Sequence, residues 1–503
     1  MKSINRRLLA SYLILGLLSC GLFALTYNRG TGYGDEGFIN LNSLRLLRGE
    51  IPGRDFTGYY PPLFYAYNAL QYRLWGVDYL SLRNGLLPVL LLIIGLTFSL
   101  SRKLLPGNLA WFPPLGALLW GFPRWPACYP TWFGLLFSLA SARALLAVGP
   151  ASRGGALFFC GLCSALAFLF KQPCGVYIGV ASLWAWTMLP AGPSPPLPVS
   201  SARPRLLTGL TIAGGLAICT MAIWRCVDLA QILIFLLPLW FAGYLTWRYR
   251  EGRRGMGARP LGYFLLGAVT AGFPFCAFFA FQGELWPLGR EILLIPTQEV
   301  PHMDFMDQTP VSLLVNAWLW LPLAAGLWSM RRGKWGTRLA GMAWALGLTW
   351  ALQYGIRNGS GANLTVITWQ IFTLGFALSP WLMMMALSPG PRNSAPWMIK
   401  ESGVAKSYGG WIVLIFSQSF LLVNSYYSEP YYFLYQSPWG MLQLAILIHL
   451  ARSRFLPPGR SKPGLLLLPA ALAAGGLFHL AQQLLDLDKL RGEGRWAVRH
   501  TTM

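Results

Sequence analysis

Two adjacent acids, Asp35 and Glu36, follow the first long apolar run of the chain. They begin a polar stretch that reaches Trp75 and also contains Glu50 and Asp55, in a sequence with only 17 acidic residues. A carboxylate held rigidly within hydrogen-bond reach of a hydroxyl group can remove its proton as a general base. We therefore expect acid–base chemistry to begin in this stretch.

The pattern of the same stretch predicts a helix that begins at one of these acids. Apolar residues follow Asp35 and Glu36 at three-residue steps, the spacing of one helix face: Phe38, Leu41, Leu44 and Leu47. Gly49 suits the C-terminal cap of that helix. An acid at a helix start also has a purely structural explanation, because it stabilises the helix dipole by about 0.3–1 kcal/mol.

A second short helix is expected at the end of the stretch. Pro61 and Pro62 favour a helix start. Residues 63–74 then supply aromatic side chains typical of a membrane–water interface, and Trp75 follows them. Two interfacial helices would hold an acid just above the hydrocarbon, beside the headgroup of a lipid-linked substrate.

The composition places this stretch in a membrane protein. With 55% hydrophobic residues, 11% charged residues and 23 Trp, the 503-residue chain is typical of one polytopic membrane domain rather than several soluble ones. The net charge of +23 comes from short Lys and Arg clusters between apolar runs. Positive-inside topology explains these clusters better than a nucleic-acid-binding face does. We expect an all-α polytopic membrane protein surrounded by lipids, with no nucleic acid partner.

The apolar runs predict about 13 to 15 transmembrane helices. Basic residues before the first run, without a clean cleavage site after it, indicate an uncleaved first span and a cytoplasmic N-terminus. Residues 1–485 would form one transmembrane domain with outer loops at 28–84 and 282–311, followed by a polar tail at 486–503. The predicted spans lie at about 8–27, 85–101, 109–122, 131–148, 155–170, 174–190, 207–224, 229–247, 261–281, 312–329, 339–354, 363–387, 411–425, 438–451 and 464–485.

Two cations near the outer side are candidates for binding a phosphate group. Lys171 ends the fifth span, in a chain where Lys is scarce at outer ends, and Arg357 lies in a short outer loop. A Lys can bind phosphate as a point charge. The alternative for Lys171 is a side chain at a helix end that extends its charge toward water.

Residues 426–435 form a third outer segment, which contains five tyrosines. An aromatic belt at the membrane interface is one interpretation. In the other, the segment lines a groove for a sugar or a polyprenyl chain, with Tyr431 and Tyr432 as the candidate groove residues.

Metal binding has little support in the sequence. His302, Asp304 and Asp307 could bind a divalent ion, but flexible loops commonly carry such residues. Cys160 and Cys163 form a C-x-x-C pair without the second ligand pair of a zinc site. We expect no cofactor, and a divalent metal ion remains an open alternative.

Four features of the sequence together resemble a known family. They are the first span, the Asp35-Glu36 pair, the segment Leu-Leu-Arg-Gly-Glu-Ile-Pro-Gly-Arg-Asp-Phe that ends at Phe56, and Tyr-Pro-Pro-Leu at residues 60–63. They look like the first outer loop of the GT-C integral-membrane glycosyltransferases. The branch they resemble includes protein O-mannosyltransferases and the aminoarabinose transferase of lipid A. The resemblance is specific over residues 8–75 and continues only as architecture beyond them.

This resemblance implies a polyprenyl-phosphate sugar donor and transfer to an acceptor hydroxyl on the non-cytoplasmic side of a bacterial plasma membrane. By position, the family's catalytic base corresponds to Asp35. Glu36 is the second catalytic candidate, supporting the loop or contacting a glycan, lipid or protein acceptor. Tyr60, Pro61 and Gln172 join the predicted substrate groove. Related enzymes commonly carry an Arg or His in the tyrosine-rich segment. Because this chain has neither there, the case for phosphate binding by that segment is weaker.

The expected reaction is a single displacement that inverts the sugar carbon, because adjacent acids at a helix start do not form the opposed carboxylate pair of glycoside hydrolases. The main rival is a transporter or flippase of lipid-linked saccharides. Such a protein would carry ionisable residues or broken helices at the bilayer midplane. The spans are almost uncharged, with Asp228 near a span end, which favours the enzyme. A non-catalytic scaffold and a polysaccharide polymerase or ligase are further alternatives.

Overall fold

The computed structural model describes residues 6–28, 35–121, 127–148, 153–189, 202–223, 235–248, 256–293, 383–384, 405–423 and 436–455. Helices dominate these segments, which confirms the predicted all-α polytopic membrane fold. Within these described segments, Pro52 and Phe56 form an isolated β-bridge.

The helices are numbered here in chain order. They are α1 (Arg6–Thr26), α2 (Asp35–Leu47), α3 (Pro62–Trp75), α4 (Tyr79–Asn84), α5 (Leu86–Leu104), a 3₁₀ turn (Gly107–Trp111), α6 (Phe112–Trp120), α7 (Pro130–Leu146), α8 (Arg153–Phe170), α9 (Gln172–Thr187), α10 (Ala202–Ile223), α11 (Leu237–Arg248), α12 (Ala258–Phe281), α13 (Leu285–Leu293), α14 (Ala405–Leu421) and α15 (Ser437–Phe455).

Several of these helices can cross a membrane. Arg6–Thr26, Tyr79–Leu104 and Ala258–Phe281 are long and apolar enough to span the hydrocarbon layer. Shorter apolar helices accompany them within the described residues: Gly154–Phe170, Leu206–Met221, Tyr408–Leu421 and Ser437–Leu450. The predicted spans at 312–329, 339–354 and 464–485 and the predicted tail at 486–503 lie outside the described residues. Of the predicted span at 363–387, only residues 383–384 are described.

Three elements differ from the sequence prediction. The second span begins earlier than residue 85, because Asp78 accepts a hydrogen bond from the Leu80 N–H at 2.9 Å and so caps α4, which continues into α5. The third predicted span is divided into a 3₁₀ turn and the short helix α6, which begins at the prolines Pro113 and Pro114. The second outer loop contains the helix α13, which the prediction left as loop.

Helices α8 and α9 form a tight antiparallel hairpin. Lys171 is the single residue between them, and its carbonyl accepts hydrogen bonds from the N–H groups of Cys174 and Gly175. A methyl group on Gly175 would lie 2.5 Å from the Phe168 backbone, so only glycine fits this turn. Ser164 then donates to the Gly175 carbonyl at 2.8 Å and fastens the two helices one turn further down.

Helix α12 packs along the whole length of α8. Gly154 faces the Tyr263 ring near the start of both helices, and Phe168, near the end of α8, packs against the apolar cluster that contains Phe279, near the end of α12. The two helices therefore run parallel, as expected for two spans that both lead outward. At their crossing, a methyl group on Gly161 would meet the Phe264 carbonyl and one on Gly267 the Phe158 carbonyl. Such reciprocal small-residue contacts are typical of membrane helix packing.

The central core lies between α5, α7, α8, α9, α14 and α15. Its largest buried side chains include Trp132, Trp184 and Trp439. The Trp439 indole N–H donates to Ser138 Oγ at 3.0 Å, and the Trp184 indole N–H donates to Thr246 Oγ1 at 2.9 Å. These bonds satisfy polar atoms far from water and fix how the spans are oriented around the outer loops.

Candidate active site

Helix α2 begins at Asp35, which agrees with the predicted helix start. Its end also agrees with the prediction, because α2 stops at Leu47 and Gly49 adopts a φ of 91°, a value that favours glycine. The Glu50 N–H then donates to the Arg45 carbonyl at 3.1 Å. The described part of Asp35 is its backbone, which places this acid on the first turn of α2.

Glu36 forms a buried ion pair with Arg83. Arg83 Nη2 donates to Glu36 Oε2 at 2.8 Å, and Arg83 Nε donates to Glu36 Oε1 at 3.0 Å. The Tyr79 hydroxyl donates to the same carboxylate, and Arg83 Nη1 donates to the Tyr27 carbonyl at 2.7 Å. The two charged side chains are only 7% and 3% exposed. This cluster fastens the start of α2 to the end of α1 and to α4.

The pair bears on the catalytic prediction for Glu36. Both oxygens of its carboxylate accept hydrogen bonds, so a Glu36 that acts as base would first have to leave Arg83. Arg83 was not among the residues singled out from the sequence. The signal was present, since Arg83 is a cation at the outer end of an apolar span, where this chain has few cations. Its partner, 47 residues away, could not be identified without the fold.

Glu50 and Asp55, the two acids between α2 and α3, form contacts with neighbouring residues. Arg45 Nε donates to Glu50 Oε2 at 2.6 Å, and Arg45 lies 4.9 Å from the centre of the Phe56 ring. Asp55 accepts hydrogen bonds from Arg54 at 2.9 Å and from the Ile51 N–H at 2.7 Å. Its hydrogen bond with Arg54, followed by the bond from the Ile51 N–H, lowers the pKa of Asp55 to about 2.

The predicted groove residues Tyr60 and Pro61 precede α3. Pro61 is buried and leads into α3 at Pro62. The Tyr60 N–H donates to the Tyr65 hydroxyl at 3.3 Å, and the Tyr60 ring lies 5.5 Å from that of Phe64. A methyl group on Gly58 would lie 2.7 Å from the Tyr65 ring, so the chain reaches Tyr60 through a position that holds only glycine. These contacts hold the segment against α3.

Lys171 is buried at the turn between α8 and α9. The residue is 7% exposed, and its ammonium group donates to Thr131 Oγ1, at the start of α7, at 2.8 Å. Its side chain therefore does not extend into water, which was the alternative explanation for a Lys at this helix end. Burying an ammonium group is unfavourable by itself, and the hydrogen bond to Thr131 offsets part of that cost.

Gln172 links the turn that carries Lys171 to the first outer loop. Its side-chain amide donates to the Tyr59 carbonyl at 3.3 Å and to the Ile292 carbonyl at 3.0 Å. The Tyr59 ring lies 5.0 Å from the ring of Phe38, which follows Asp35 by one turn of α2. A continuous series of contacts therefore runs from the first turn of α2 to the residue next to Lys171.

Glu291, on α13, is a further buried acid at this junction. It is 5% exposed, and its side chain accepts a hydrogen bond from the Gly58 N–H. Burial raises the pKa of Glu291, and the bond from Gly58 opposes that rise. In the sequence Glu291 was one of several charges in the second outer loop. The spacing of Leu285, Leu288 and Ile292 could have indicated an amphipathic helix around it.

Several predicted residues lie outside the described part of the chain. These are the candidate cation Arg357, the groove candidates Tyr431 and Tyr432, the loop residues His302, Asp304 and Asp307, and Asp228. Among the residues that the structure does describe, no three His, Cys, Asp or Glu side chains form a group that could hold a metal ion. Cys160 and Cys163 are buried in α8, and Cys160 contacts the Ser141 carbonyl.

No family model matches the sequence, and no curated protein is significantly similar to it. Two solved structures are similar, both of GT-C membrane glycosyltransferases. The oligosaccharyltransferase AglB from Archaeoglobus fulgidus, in complex with an inhibitory peptide and a dolichol-phosphate, is 11% identical, with a TM-score of 0.42 over 96% of this chain and 56% of AglB. ArnT from Cupriavidus metallidurans in the apo state is 15% identical, with a TM-score of 0.32 over 83% of this chain and 76% of ArnT.

This chain thus spans little more than half the length of AglB. Both TM-scores are below 0.5.

Proposed function

We propose that this protein is an integral-membrane glycosyltransferase. It would transfer a sugar from a polyprenyl-phosphate donor to an acceptor hydroxyl at the outer face of the membrane. The observation that carries the proposal is the contact between Gln172 and the Tyr59 carbonyl. It joins the loop that begins with Asp35 to the turn that carries the buried cation Lys171. An acid and a cation next to the bilayer surface are what transfer from an anionic lipid headgroup needs.

In the proposed reaction, Asp35 takes the proton of the acceptor hydroxyl as its oxygen bonds to the anomeric carbon. The bond between that carbon and the donor phosphate oxygen breaks, and its electron pair stays on the polyprenyl phosphate. Lys171, together with Arg357, stabilises the negative charge on this leaving group. One base suffices, because a phosphate leaves without protonation. The sugar carbon is inverted by this single displacement.

The other candidate residues receive supporting roles in this scheme. Glu36, held by Arg83, supports the first turn of α2, on which Asp35 lies. Tyr60, Pro61 and Gln172 line the groove for the substrates, with Tyr431 and Tyr432. The scheme uses no cofactor, and a requirement for a divalent ion is settled by comparing activity with and without a chelator. We assign the protein to a bacterial plasma membrane, with a glycan, lipid or protein as the acceptor.

The proposal is tested with purified protein in detergent and a panel of radiolabelled polyprenyl-phosphate sugars and acceptors. We expect release of polyprenyl phosphate together with a product whose anomeric configuration is opposite to that of the donor. A product that retains the donor configuration would contradict the single displacement. Uptake of lipid-linked saccharide into proteoliposomes, without turnover of any donor, would favour the transporter over the enzyme.

A further inference from the structure

We propose that Glu291 is a positioning residue of this glycosyltransferase, which holds the first outer loop in place through the Gly58 N–H. The inference rests on the proposed function, since it assigns Glu291 a role in placing the loop that carries Asp35. It concerns a contact between two outer segments that lie more than two hundred positions apart in the chain.

The first outer loop lies along α13 over several residues. A methyl group on Gly53 would be 3.3 Å from the Leu288 backbone, and Ile51 packs against the apolar cluster of Phe279, Leu288 and Ile292. Gly53 has a φ of 85°, so the loop turns sharply where it meets the helix. Helix α13 is therefore the surface on which residues 51–59 rest.

Polar contacts at the end of this surface pair successive residues of the loop with successive residues of α13. Glu291 accepts the N–H of Gly58, while the amide of Gln172 binds the carbonyls of Tyr59 and Ile292. Two consecutive loop residues are thus tied to two consecutive residues of α13. Gln172 provides one of the ties, and Glu291 provides the other.

The free-energy cost of burying the Glu291 carboxyl group indicates that this acid has a specific role. A carboxyl group that is 5% exposed has lost most of its hydration, and a backbone N–H replaces part of it. An apolar side chain would fill the same position on α13 at lower cost. The acid is therefore suited to fixing the backbone of the loop rather than to packing.

Loss of the Glu291 contact should affect the proposed base and the proposed phosphate site differently. Tyr59 packs on Phe38, one turn from Asp35, so a loop released at Gly58 would loosen the packing beside the first turn of α2. Lys171 is held by Thr131 on α7, a contact that does not involve Glu291. Loss of the Glu291 contact should therefore misplace the base and leave the site for the donor phosphate intact.

The test compares Glu291→Ala, Glu291→Gln and the matched control Glu284→Ala, which changes a partly exposed acid at the beginning of the same segment. We expect kcat to fall about 10-fold in Glu291→Ala, with the KM for the donor changed less than about twofold. Glu291→Gln keeps an acceptor oxygen at the same reach and should retain most of the activity. An unchanged kcat in Glu291→Ala, or an equal loss in Glu284→Ala, would overturn the proposal.

A second measurement does not depend on turnover. Hydrogen exchange of peptides that cover residues 56–60 should become faster in Glu291→Ala than in the wild type, and should be unchanged in Glu284→Ala. Unchanged exchange in Glu291→Ala would overturn the positioning role even if the protein is active. If the wild type transfers no sugar but exchange responds as expected, the contact stands and the proposed function fails.

Discussion

The guanidinium group of Arg83 and the carboxylate of Glu36 meet through two hydrogen bonds of 2.8 and 3.0 Å, buried between α2 and α4. The pair joins α2 to the helix that leads into the second span. Because Glu36 follows Asp35 directly, this ion pair helps to hold the first turn of α2 in place. The acid proposed as base is therefore positioned by its neighbour in sequence.

Removal of Arg83 should destabilise the protein strongly. Arg83→Ala leaves the Glu36 carboxylate buried without its cation, a change that typically costs about 3–5 kcal/mol. We expect a clear fall in the apparent melting temperature, which is measured in detergent by intrinsic tryptophan fluorescence. Arg73→Ala, which removes an exposed arginine from α3, is the control and should change little.

A double variant tests the origin of this effect. If the unpaired charge is responsible, Arg83→Leu combined with Glu36→Leu should be more stable than Arg83→Leu alone. An Arg83→Ala protein as stable as the wild type would show that the ion pair does not hold α2.

The crossing of α8 and α12 should be equally sensitive to a single methyl group. Gly161→Ala places that group on the Phe264 carbonyl, and overpacking of this kind typically costs about 1–3 kcal/mol. Gly155→Ala is a matched control on the same helix, because nothing lies within 4 Å of the added methyl group. Apparent melting temperatures should fall for Gly161→Ala only. Equal values for the two variants would contradict the close contact between the helices.

Lys171 should contribute mainly to binding of the donor. Lys171→Met removes the charge but keeps an unbranched side chain, and loss of a hydrogen bond to a charged group typically costs about 1.5–3 kcal/mol. We expect polyprenyl phosphate to bind about 10-fold or more weakly, as measured with the radiolabelled lipid. Arg290→Gln, which removes an exposed cation from α13, serves as control. Equal binding by wild type and Lys171→Met would rule out Lys171 as a phosphate ligand.

The sequence predicted the elements that depend on local patterns. The start of α2, its end near Gly49 and the helix after Pro61 follow from apolar spacing, glycine and proline, and the structure agrees with each. The tight turn at Lys171 likewise follows from an apolar run that stops at a Lys-Gln-Pro sequence.

Contacts between distant segments could not be predicted in this way. The pairing of Arg83 with Glu36 and of Glu291 with Gly58 depends on how the spans pack, and packing leaves no periodic signal in the sequence. Helix α13 was missed for a different reason. It is short and follows the Gln-Gly pair at residues 282–283, and the sequence prediction places it within the loop at 282–311.

The central claim is that Asp35 removes the proton of the acceptor. The most direct test is the Asp35→Asn variant, which keeps the size of the side chain and removes its basicity. Transfer of radiolabelled sugar and binding of the polyprenyl-phosphate donor are measured on the same preparation, with Glu284→Gln as control. We predict that transfer falls by about 100-fold or more in Asp35→Asn, while donor binding and the activity of the control are preserved. Transfer by Asp35→Asn at the rate of the wild type would contradict the account.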